Sequence, residues 1–586
     1  MAADPTGRIS MHSQPPSFIC MGCGAVVAVS DLARSGFRCP NAGQGDVDHV
    51  LRAEPGDERS RTGAGDRSTE PAVCDDDPNP FLRYRRRLTA WRLAERAGLT
   101  DTEMVEIVRA LDRAVAAVDG RGFRLTPFGR AARLSAALGF EASGGVWVKD
   151  ETGNVSGSHK ARHLMGVMLY LLVLERLEAR TGDGARVAAP TTLAAAPLAE
   201  GDGGMHALAG GTREDAAHAP GRLPAERGGR PRLAIASCGN AALAAAVVAR
   251  AAGRELDVFV PPSAPPSVVE RLASLGARQI VCERVPGEAG DPCYLRFREA
   301  VAQGALGFCC QGPDNGLTVE GGQTIVWEML DAPGGRELDR LFVQVGGGAL
   351  ASACALALLE VGRSGWLTRL PRLHAVQTAG GFPLARAWAR VALAALDIAS
   401  PAGRSFGPER ERADARPAPP ASPPIDIARA GAALAAYAGA HGDDESAARA
   451  LTVDHAALAS VAAWLARPEH APAVGEALAH ARRHRSRVMW TWEREPRSIA
   501  RGILDDETYD WAAVVEGLLH SGGWPIVVSE AMLESANDLA ARTTDIPVDH
   551  TGSAGLAGLL ALLSAAPGVV ASDERVAVIF SGARRS

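Results

Sequence analysis

One lysine lies in a loop-like stretch rich in Gly, Asn and Ser, at Lys160 within residues 149–162. The preceding residues predict a strand that ends near Asp150, and a helix is expected to run from about His159 toward Arg180. Candidate caps for this helix are Asn154, Ser156 and Ser158. Because a helix N-terminus disfavours positive charge, the neutral amine of Lys160 is favoured there. Such an amine can form a Schiff base, whereas the alternative is a solvated lysine beside a turn.

A second loop consists of Ser237, Cys238, Gly239 and Asn240, and it follows the apolar run 233–236 and precedes an Ala-rich segment. In a strand-to-helix turn of this kind, the backbone N–H groups can hold a carboxylate at the helix N-terminus. Asn240 would then present its amide to the same cleft. The alternative is that Asn240 only caps the helix.

A third loop, Gly346-Gly347-Gly348-Ala349-Leu350, follows the apolar run 341–345. Without Cβ atoms, successive backbone amides can close on a phosphate. Gly346, Gly348 and Ala351 fit G-x-G-x-x-A, but the next acidic residue, Glu360, comes sooner than the usual distance of about 20 residues, which argues against NAD. No G-x-x-x-x-G-K-[ST] segment occurs, which argues against a P-loop ATPase.

The fourth candidate is Ser581, which follows the apolar run 576–580 near the C-terminus. A hydroxyl at the end of a buried strand can hydrogen-bond a heterocycle nitrogen. Taken alone, it could equally be part of a C-terminal turn.

The elements that would position these loops alternate between short β-branched runs and longer helical patterns, which predicts βαβ units, buried parallel sheets and ligands at the carboxyl ends of strands. The predicted strands are 146–149, 233–236, 256–260, 279–283, 341–345, 373–377, 526–529 and 576–580. Among the predicted helices, 241–252 and 349–361 follow two of these strands directly. The expected class is α/β.

In this order, the four loops resemble those of the fold type II pyridoxal 5′-phosphate (PLP) enzymes, which include tryptophan synthase β chains, threonine synthases and serine/threonine dehydratases. The resemblance implies a two-lobed α/β fold with mostly parallel sheets. It implies that Lys160, within the S-x-K-x-R segment of Ser158 and Arg162, forms the internal aldimine. It assigns the loop 237–240 to the substrate carboxylate and Asn240 also to the cofactor. It assigns the loop 346–350 to the 5′-phosphate and Ser581 to the pyridine nitrogen.

Other segments distinguish members of this superfamily. Residues 125–128 resemble the T-P-L entry strand, and 319–325 resemble the E-G-Q-x-T-I helix start of threonine synthases with the Gln one place late. In contrast, threonine synthases usually carry an acidic residue directly after the lysine. This chain has Ala161 there, which is closer to dehydratases. The segment 549–556 has lost the Glu-Pro of a family E-P-x-S-A segment. Candidates for binding a substrate phosphate are Arg162, His163 and Arg497, and the alternative is that they are solvated or structural charges.

The N-terminal cysteines resemble the small zinc-ribbon-like region that precedes the core of some threonine synthases. Cys20 and Cys23 have the spacing of metal ligands, and Cys39 and His49 could complete a tetrahedral site. Such a site would be structural, because four protein ligands leave no position for water. The alternative is a degenerate ribbon, because Ala42 stands where a second C-x-x-C would place a cysteine.

Composition sets the remaining expectations. The chain has 586 residues and a net charge of −6, so no global positive field would attract nucleic acid or an anionic membrane. We expect a cytoplasmic location, since the N-terminus carries no secretory pattern. We expect residues 1–77 to form a ribbon-like appendage and linker, 78–160 and 311–586 a large lobe, and 161–310 a small lobe. Residues 182–229 and 400–424 should be inserts, the first disordered and the second Pro-rich.

The resemblance predicts elimination or replacement on a small amino-acid substrate by a homodimer. A serine at the pyridine nitrogen does not enforce its protonation as an aspartate would, which favours elimination over transamination. The first candidate is a threonine synthase-like conversion of O-phosphohomoserine and water to L-threonine and phosphate. The alternatives are an L-serine/L-threonine ammonia-lyase and a non-catalytic protein that kept the fold.

Overall fold

The computed structural model describes residues 17–54, 76–181, 230–285, 290–400 and 425–585. The predicted insert 182–229 lies outside these ranges, and so does the insert predicted at 400–424, apart from its first residue. The strands are β1 Ser17–Cys20, β2 Val26–Ala28, β3 Leu51–Ala53, β4 Phe128–Arg130, β5 Gly145–Asp150, β6 Leu233–Ala236, β7 Leu256–Val260, β8 Arg278–Val281, β9 Leu306–Gly307, β10 Arg340–Gln344, β11 Arg372–Thr378, β12 Ile526–Val528 and β13 Arg575–Phe580.

The α-helices in the described ranges are α1 Pro80–Arg83, α2 Thr89–Arg96, α3 Asp101–Asp119, α4 Ala132–Ala137, α5 Lys160–Thr181, α6 Asn240–Ala251, α7 Pro266–Ser274, α8 Pro292–Ala302, α9 Thr318–Asp331, α10 Ala349–Arg363, α11 Pro383–Ala399, α12 Ile427–Ala438, α13 Asp444–Leu451, α14 His455–Leu465, α15 Ala471–Arg483, α16 Trp511–Ser521, α17 Glu530–Thr543 and α18 His550–Ala565. Within these ranges, no helix is both long and apolar enough to cross a membrane.

The strands form a six-stranded sheet in the order β12-β11-β10-β13-β5-β4 and a four-stranded sheet in the order β8-β7-β6-β9. Every pairing in both sheets is parallel except that of β4 with β5. Helices cover both sheets, so the central strands β5, β10 and β13 are almost entirely buried. This confirms the predicted α/β class and its mostly parallel sheets.

All eight predicted strands are present, with ends that differ by up to two residues. The largest difference is at β8, predicted at 279–283 and observed at Arg278–Val281. The helix predicted from His159 begins at Lys160. The division into lobes at residues 160 and 310 stays a prediction.

The N-terminal cysteines belong to a small antiparallel sheet in the order β2-β1-β3. This unit packs against the large sheet's helices. The amide of Asp48 donates to the Arg482 carbonyl at 2.7 Å, and Trp511 at the start of α16 donates to Asp48 Oδ1 at 3.2 Å.

Candidate active site

Three of the four candidate loops leave neighbouring strands of the six-stranded sheet. Because β10, β13 and β5 are adjacent and parallel, the glycine turn, Ser581 and the loop to Lys160 emerge at the same edge. The fourth loop, 237–240, leaves β6 of the other sheet. Asp505 lies between the two sheets' loops, since its charge acts on Cys238 and it interacts with both Lys160 and Gly347.

Lys160 is the first residue of α5 and is half-buried. Its amide donates to Ser158 Oγ at 3.4 Å, so Ser158 is the capping candidate that contacts this turn. The loop before it is tight, with φ angles of 56° at Ser156 and 76° at Gly157. The sequence therefore places the lysine where a short, constrained turn delivers its side chain to the sheet edge.

The chain contains only two lysines, Lys149 and Lys160. Lys149 is fully buried, and its Nζ lies 2.5 Å from Glu328 Oε2 and 2.8 Å from the Thr126 carbonyl. It is therefore committed to a buried ion network. Lys160 is therefore the one lysine left that could form a Schiff base. Counting lysines in the sequence would already have reduced the candidates to these two.

Ser581 is buried beside the residue that precedes the lysine. Its Oγ accepts from the backbone N–H of His159 at 3.1 Å and lies 2.5 Å from His159 Nδ1. The sequence analysis predicted Ser581 but did not consider His159. The structure therefore brings the C-terminal hydroxyl directly to the start of α5.

The glycine turn packs against the acidic loop 504–510. A Cβ at Gly346 would lie 2.4 Å from Asp505 Oδ2, and one at Gly347 would lie 2.9 Å from the ring of Tyr509. Gly348 has a φ of 99° and caps α10 without any side-chain hydrogen bond. The first amides of α10 therefore have no partner within the helix or from a capping side chain, as a phosphate cradle requires.

Two carboxyl groups that the sequence analysis did not predict face this turn. The amide of Gly347 donates to Asp505, and burial raises the pKa of Asp505 to about 6 despite this bond and the charge of Lys160. Asp510 accepts from the Gly312 amide at 3.0 Å, and burial raises its pKa to about 8. No motif marks these residues, because only the tertiary fold brings them within reach of Lys160.

The loop 237–240 has the geometry of an anion site at a helix N-terminus. Asn240 begins α6, and Gly239 precedes it without a side-chain cap. Ser237 Oγ accepts from the Gly239 amide at 3.3 Å, which leaves the amides at the start of α6 without a cap. Burial raises the pKa of the Cys238 thiol, so Cys238 is held as a neutral thiol beside this turn.

The residues considered for a substrate phosphate have other roles. Arg162 is fully buried between Glu151 and Glu328, and His163 Nδ1 donates to the Thr318 carbonyl at 2.9 Å. Arg497 is highly exposed and pairs with Glu495. The structural alternative therefore holds for Arg162 and His163.

The threonine synthase-like segment 319–325 is used for packing. Gly321 and Gly322 lie against α5, where Cβ atoms would come 2.0 Å from the Arg162 carbonyl and 2.3 Å from the ring of His163. Glu320 accepts from the Thr89 amide at 2.7 Å. The segment therefore locks α9 against the lysine-bearing helix and does not itself distinguish one reaction from another.

Comparison with known proteins agrees with this arrangement. Residues 215–414 match a family model described as pyridoxal-phosphate dependent enzyme. Over residues 215–414, about a third of its length, this chain is therefore similar to the PLP-dependent enzymes. The superfamily resemblance drawn from the sequence is thereby confirmed, whereas the resemblance to threonine synthase or dehydratase stays a prediction. A search of the curated proteins found no match.

Solved structures of similar fold include three from different organisms. Maize serine racemase is 15% identical over 82% of this chain and 94% of that chain, with a TM-score of 0.44. A fungal L-serine ammonia-lyase from Rhizomucor miehei is 16% identical over 78% and 93%, with a TM-score of 0.43. Diaminopropionate ammonia lyase from Escherichia coli is 13% identical over 82% and 88%, with a TM-score of 0.46.

The residues present fit PLP. Lys160 can form the imine, two uncapped helix N-termini can take the phosphate and a carboxylate, and Ser581 offers a hydroxyl beside the lysine. Asp505 departs from a plain cradle, because its carboxylate contacts the turn that would hold the phosphate.

The four predicted metal ligands form one cluster. The ligand atoms of Cys20, Cys23, Cys39 and His49 all lie within 4.8 Å of one another. His49 Nε2 lies 2.9 Å from the Gln44 carbonyl, which can only accept, so the proton is on Nε2 and the Nδ1 lone pair faces Cys20 at 3.6 Å. With metal–sulfur bonds of about 2.3 Å, this cluster fits a tetrahedral zinc ion.

Proposed function

We propose that this protein is a PLP-dependent enzyme that catalyses an elimination on a small amino acid. The observation that carries the proposal is Lys160, the chain's one lysine outside the buried ion network, at the sheet edge shared with the glycine turn and Ser581. PLP, when bound, supplies the electron sink for a carbanion at the substrate Cα.

The chain's residues would act on the substrate as follows. The amides at the start of α6 bind the substrate carboxylate, and Asn240 orients the reactants. With PLP bound, Lys160 would remove the Cα proton and hold it on Nζ. The carboxyls of Asp505 and Asp510 lie near Lys160, whose positive charge lowers the pKa of each against the larger opposing effect of burial.

The site could carry out either a threonine synthase-like reaction or an ammonia-lyase reaction, and the charge around it favours the second. The sequence favoured a threonine synthase-like use of O-phosphohomoserine. A phosphorylated side chain would enter a cleft that holds Asp505, Asp506 and Asp291, whose negative charges act on one another, whereas Arg162 is buried elsewhere. Since like charges repel at close range, we propose an ammonia-lyase acting on an unphosphorylated amino acid such as serine or threonine, with threonine synthase-like activity as the second candidate.

The cofactor assignment is tested by reduction and mapping. Purified protein incubated with PLP should show a visible absorption band that borohydride abolishes, and digestion should place the reduced adduct on Lys160. Lys160→Ala should lose both the band and the adduct. An adduct on Lys149, or no band in the wild type, would contradict the proposal.

The reaction is tested by product. Wild-type protein is incubated separately with L-serine, L-threonine and O-phosphohomoserine, and 2-oxo acid, threonine and phosphate are measured. The favoured proposal expects 2-oxo acid from serine or threonine. Threonine together with phosphate from O-phosphohomoserine would instead support the second candidate.

We also propose that the cluster of Cys20, Cys23, Cys39 and His49 holds a structural zinc ion. In support of this, the four ligand atoms converge, and no fifth His, Cys, Asp or Glu joins them within the part of the chain that the structure describes. The homodimer and the cytoplasmic location stay predictions, and sedimentation of the purified chain would check the first.

A further inference from the structure

His159 makes two contacts with the same oxygen atom. Its backbone N–H donates to Ser581 Oγ at 3.1 Å, and its ring Nδ1 lies 2.5 Å from that oxygen. Both residues are buried, with 8% of His159 and 2% of Ser581 exposed. The hydroxyl is therefore held by the residue adjacent to the lysine, and its orientation depends on which ring nitrogen of His159 carries the proton.

The surroundings of the ring select one tautomer. Burial, together with the positive charges of Lys160 and Arg162, lowers the pKa of His159 well below its usual value, so the ring is neutral and carries one proton. Nε2 is buried and has no hydrogen-bond partner among the described residues. An N–H at this buried position would have no acceptor and would lose its hydrogen bond, whereas an unprotonated Nε2 leaves no donor unsatisfied. The proton therefore belongs on Nδ1.

This tautomer determines what Ser581 can do. A serine oxygen has two lone pairs and one O–H. With Nδ1–H and the backbone N–H both donating to Oγ, the two lone pairs are used. The hydroxyl of Ser581 is then free only as a donor, and it requires an acceptor in the cleft.

We propose that His159 is a positioning residue that makes Ser581 an obligate hydrogen-bond donor to the ring nitrogen of the cofactor. This inference rests on the proposed function. A nitrogen that accepts from Ser581 must keep its lone pair, so His159 selects the unprotonated pyridine ring. The electron sink is thereby weakened, which suits elimination better than transamination.

The tautomer can be tested without cofactor. In protein labelled with ¹⁵N-histidine, the ring signals lost in His159→Phe identify His159, and proton–nitrogen correlations give its protonated nitrogen. We expect Nδ1–H. A proton on Nε2, or on both nitrogens at pH 7.5, would overturn the inference while leaving the proposed function intact.

The effect on the cofactor is tested with PLP labelled at the ring nitrogen. The ¹⁵N chemical shift should report an unprotonated ring in the wild type and movement toward the protonated value in His159→Phe. His163→Phe is the matched control, since His163 lies on the same helix with its ring 5.6 Å from that of His159 but contacts Thr318 instead. His159→Asn, whose amide can donate from nearly the same place as Nδ1, should restore the wild-type shift.

Each outcome of the experiment with labelled PLP either supports or overturns the proposed role of His159. A protonated ring in the wild type, or an unchanged shift in His159→Phe, would overturn the inference. A mere packing role for His159 would lower stability in His159→Phe without moving the nitrogen shift. Failure of the wild type to bind PLP at all would refute the proposed function, which the tautomer measurement does not depend on.

Discussion

The first turn of α5 is held by four buried charges whose sum is zero. Arg162 donates to Glu151 at 2.8 and 3.0 Å and to Glu328 at 2.5 and 3.2 Å. Lys149 donates to Glu328 at 2.5 Å. These side chains are at most 3% exposed. Because the network spans β5, α5 and α9, it fixes the position of Lys160, two residues before Arg162.

Replacing Glu328 by Gln should destabilise the protein strongly. The change leaves the cations of Arg162 and Lys149 with Glu151 alone, a net charge of +1 in the interior. Breaking a buried pair on one side costs about 3–5 kcal/mol, a large part of the about 5–15 kcal/mol that stabilises a typical domain. The double variant Glu328→Gln/Lys149→Met restores neutrality and should recover at least about 1 kcal/mol of the loss.

The assay is urea unfolding followed by tryptophan fluorescence, with the slope compared between variants to check that the same transition is measured. The reasoning would be refuted if Glu328→Gln lost less than about 1 kcal/mol of unfolding free energy, or if the double variant were less stable than the single one.

The stability that Glu328 contributes should depend on pH, and the direction follows from its pKa. Burial opposes ionisation, but Arg162 and Lys149 lower the pKa of Glu328 below its usual value, so its contribution is present above about pH 4.5 and is lost on acidification.

Three further predictions concern the glycine turn and the metal. Asp505→Asn removes a negative charge beside the phosphate, worth about 1–2 kcal/mol, so PLP should bind about 5–30 times more tightly at pH 7.5 in a fluorescence titration. This difference should shrink at pH 5, because the pKa of Asp505 is about 6, and the exposed Glu495→Gln should show no difference. Gly346→Ala should abolish PLP binding, since its Cβ would meet Asp505 and Ile503, whereas Gly475→Ala, in open space on α15, should leave binding unchanged. Purified protein should contain about one zinc ion per chain by metal analysis. Removing the zinc with a chelator, or replacing Cys39 by Ser, should lower the melting temperature and weaken PLP binding. An unchanged melting temperature together with unchanged PLP affinity would contradict a structural metal.

The sequence predicted the parts of the site that local chemistry marks. Glycines at 346–348, the loop at 237–240 and the lysine after a Ser-rich turn each carry their geometry in residue type and spacing. The strands that deliver them are buried apolar runs, so their positions were predicted to within two residues. The short strands β1 to β4 and β9 were not among the predicted strands, because two to four residues carry no periodicity.

What the sequence did not predict depends on contacts between distant segments. Asp505 lies 345 positions after Lys160, and its segment matches no motif. The sequence left Arg162 between a substrate role and a structural one, because one of its carboxylate partners directly follows β5, the other lies on α9, and only packing joins them. His159 was overlooked for another reason. Its partner Ser581 is near the C-terminus of the sequence, directly after β13, and only the pairing of β13 with β5 brings the two residues together.

A chain of hydrogen bonds and sequence neighbours connects the N-terminal ribbon to the glycine turn. His49 is a candidate zinc ligand, and the residue before it, Asp48, accepts a hydrogen bond from Trp511 at 3.2 Å. The neighbouring Asp510 donates its amide to the Gly347 carbonyl at 3.0 Å. A shift of the ribbon would therefore move the start of α16, and with it the loop that closes the glycine turn. This is why loss of the metal should weaken PLP binding as well as stability, although the cluster and Lys160 share no direct contact among the described residues.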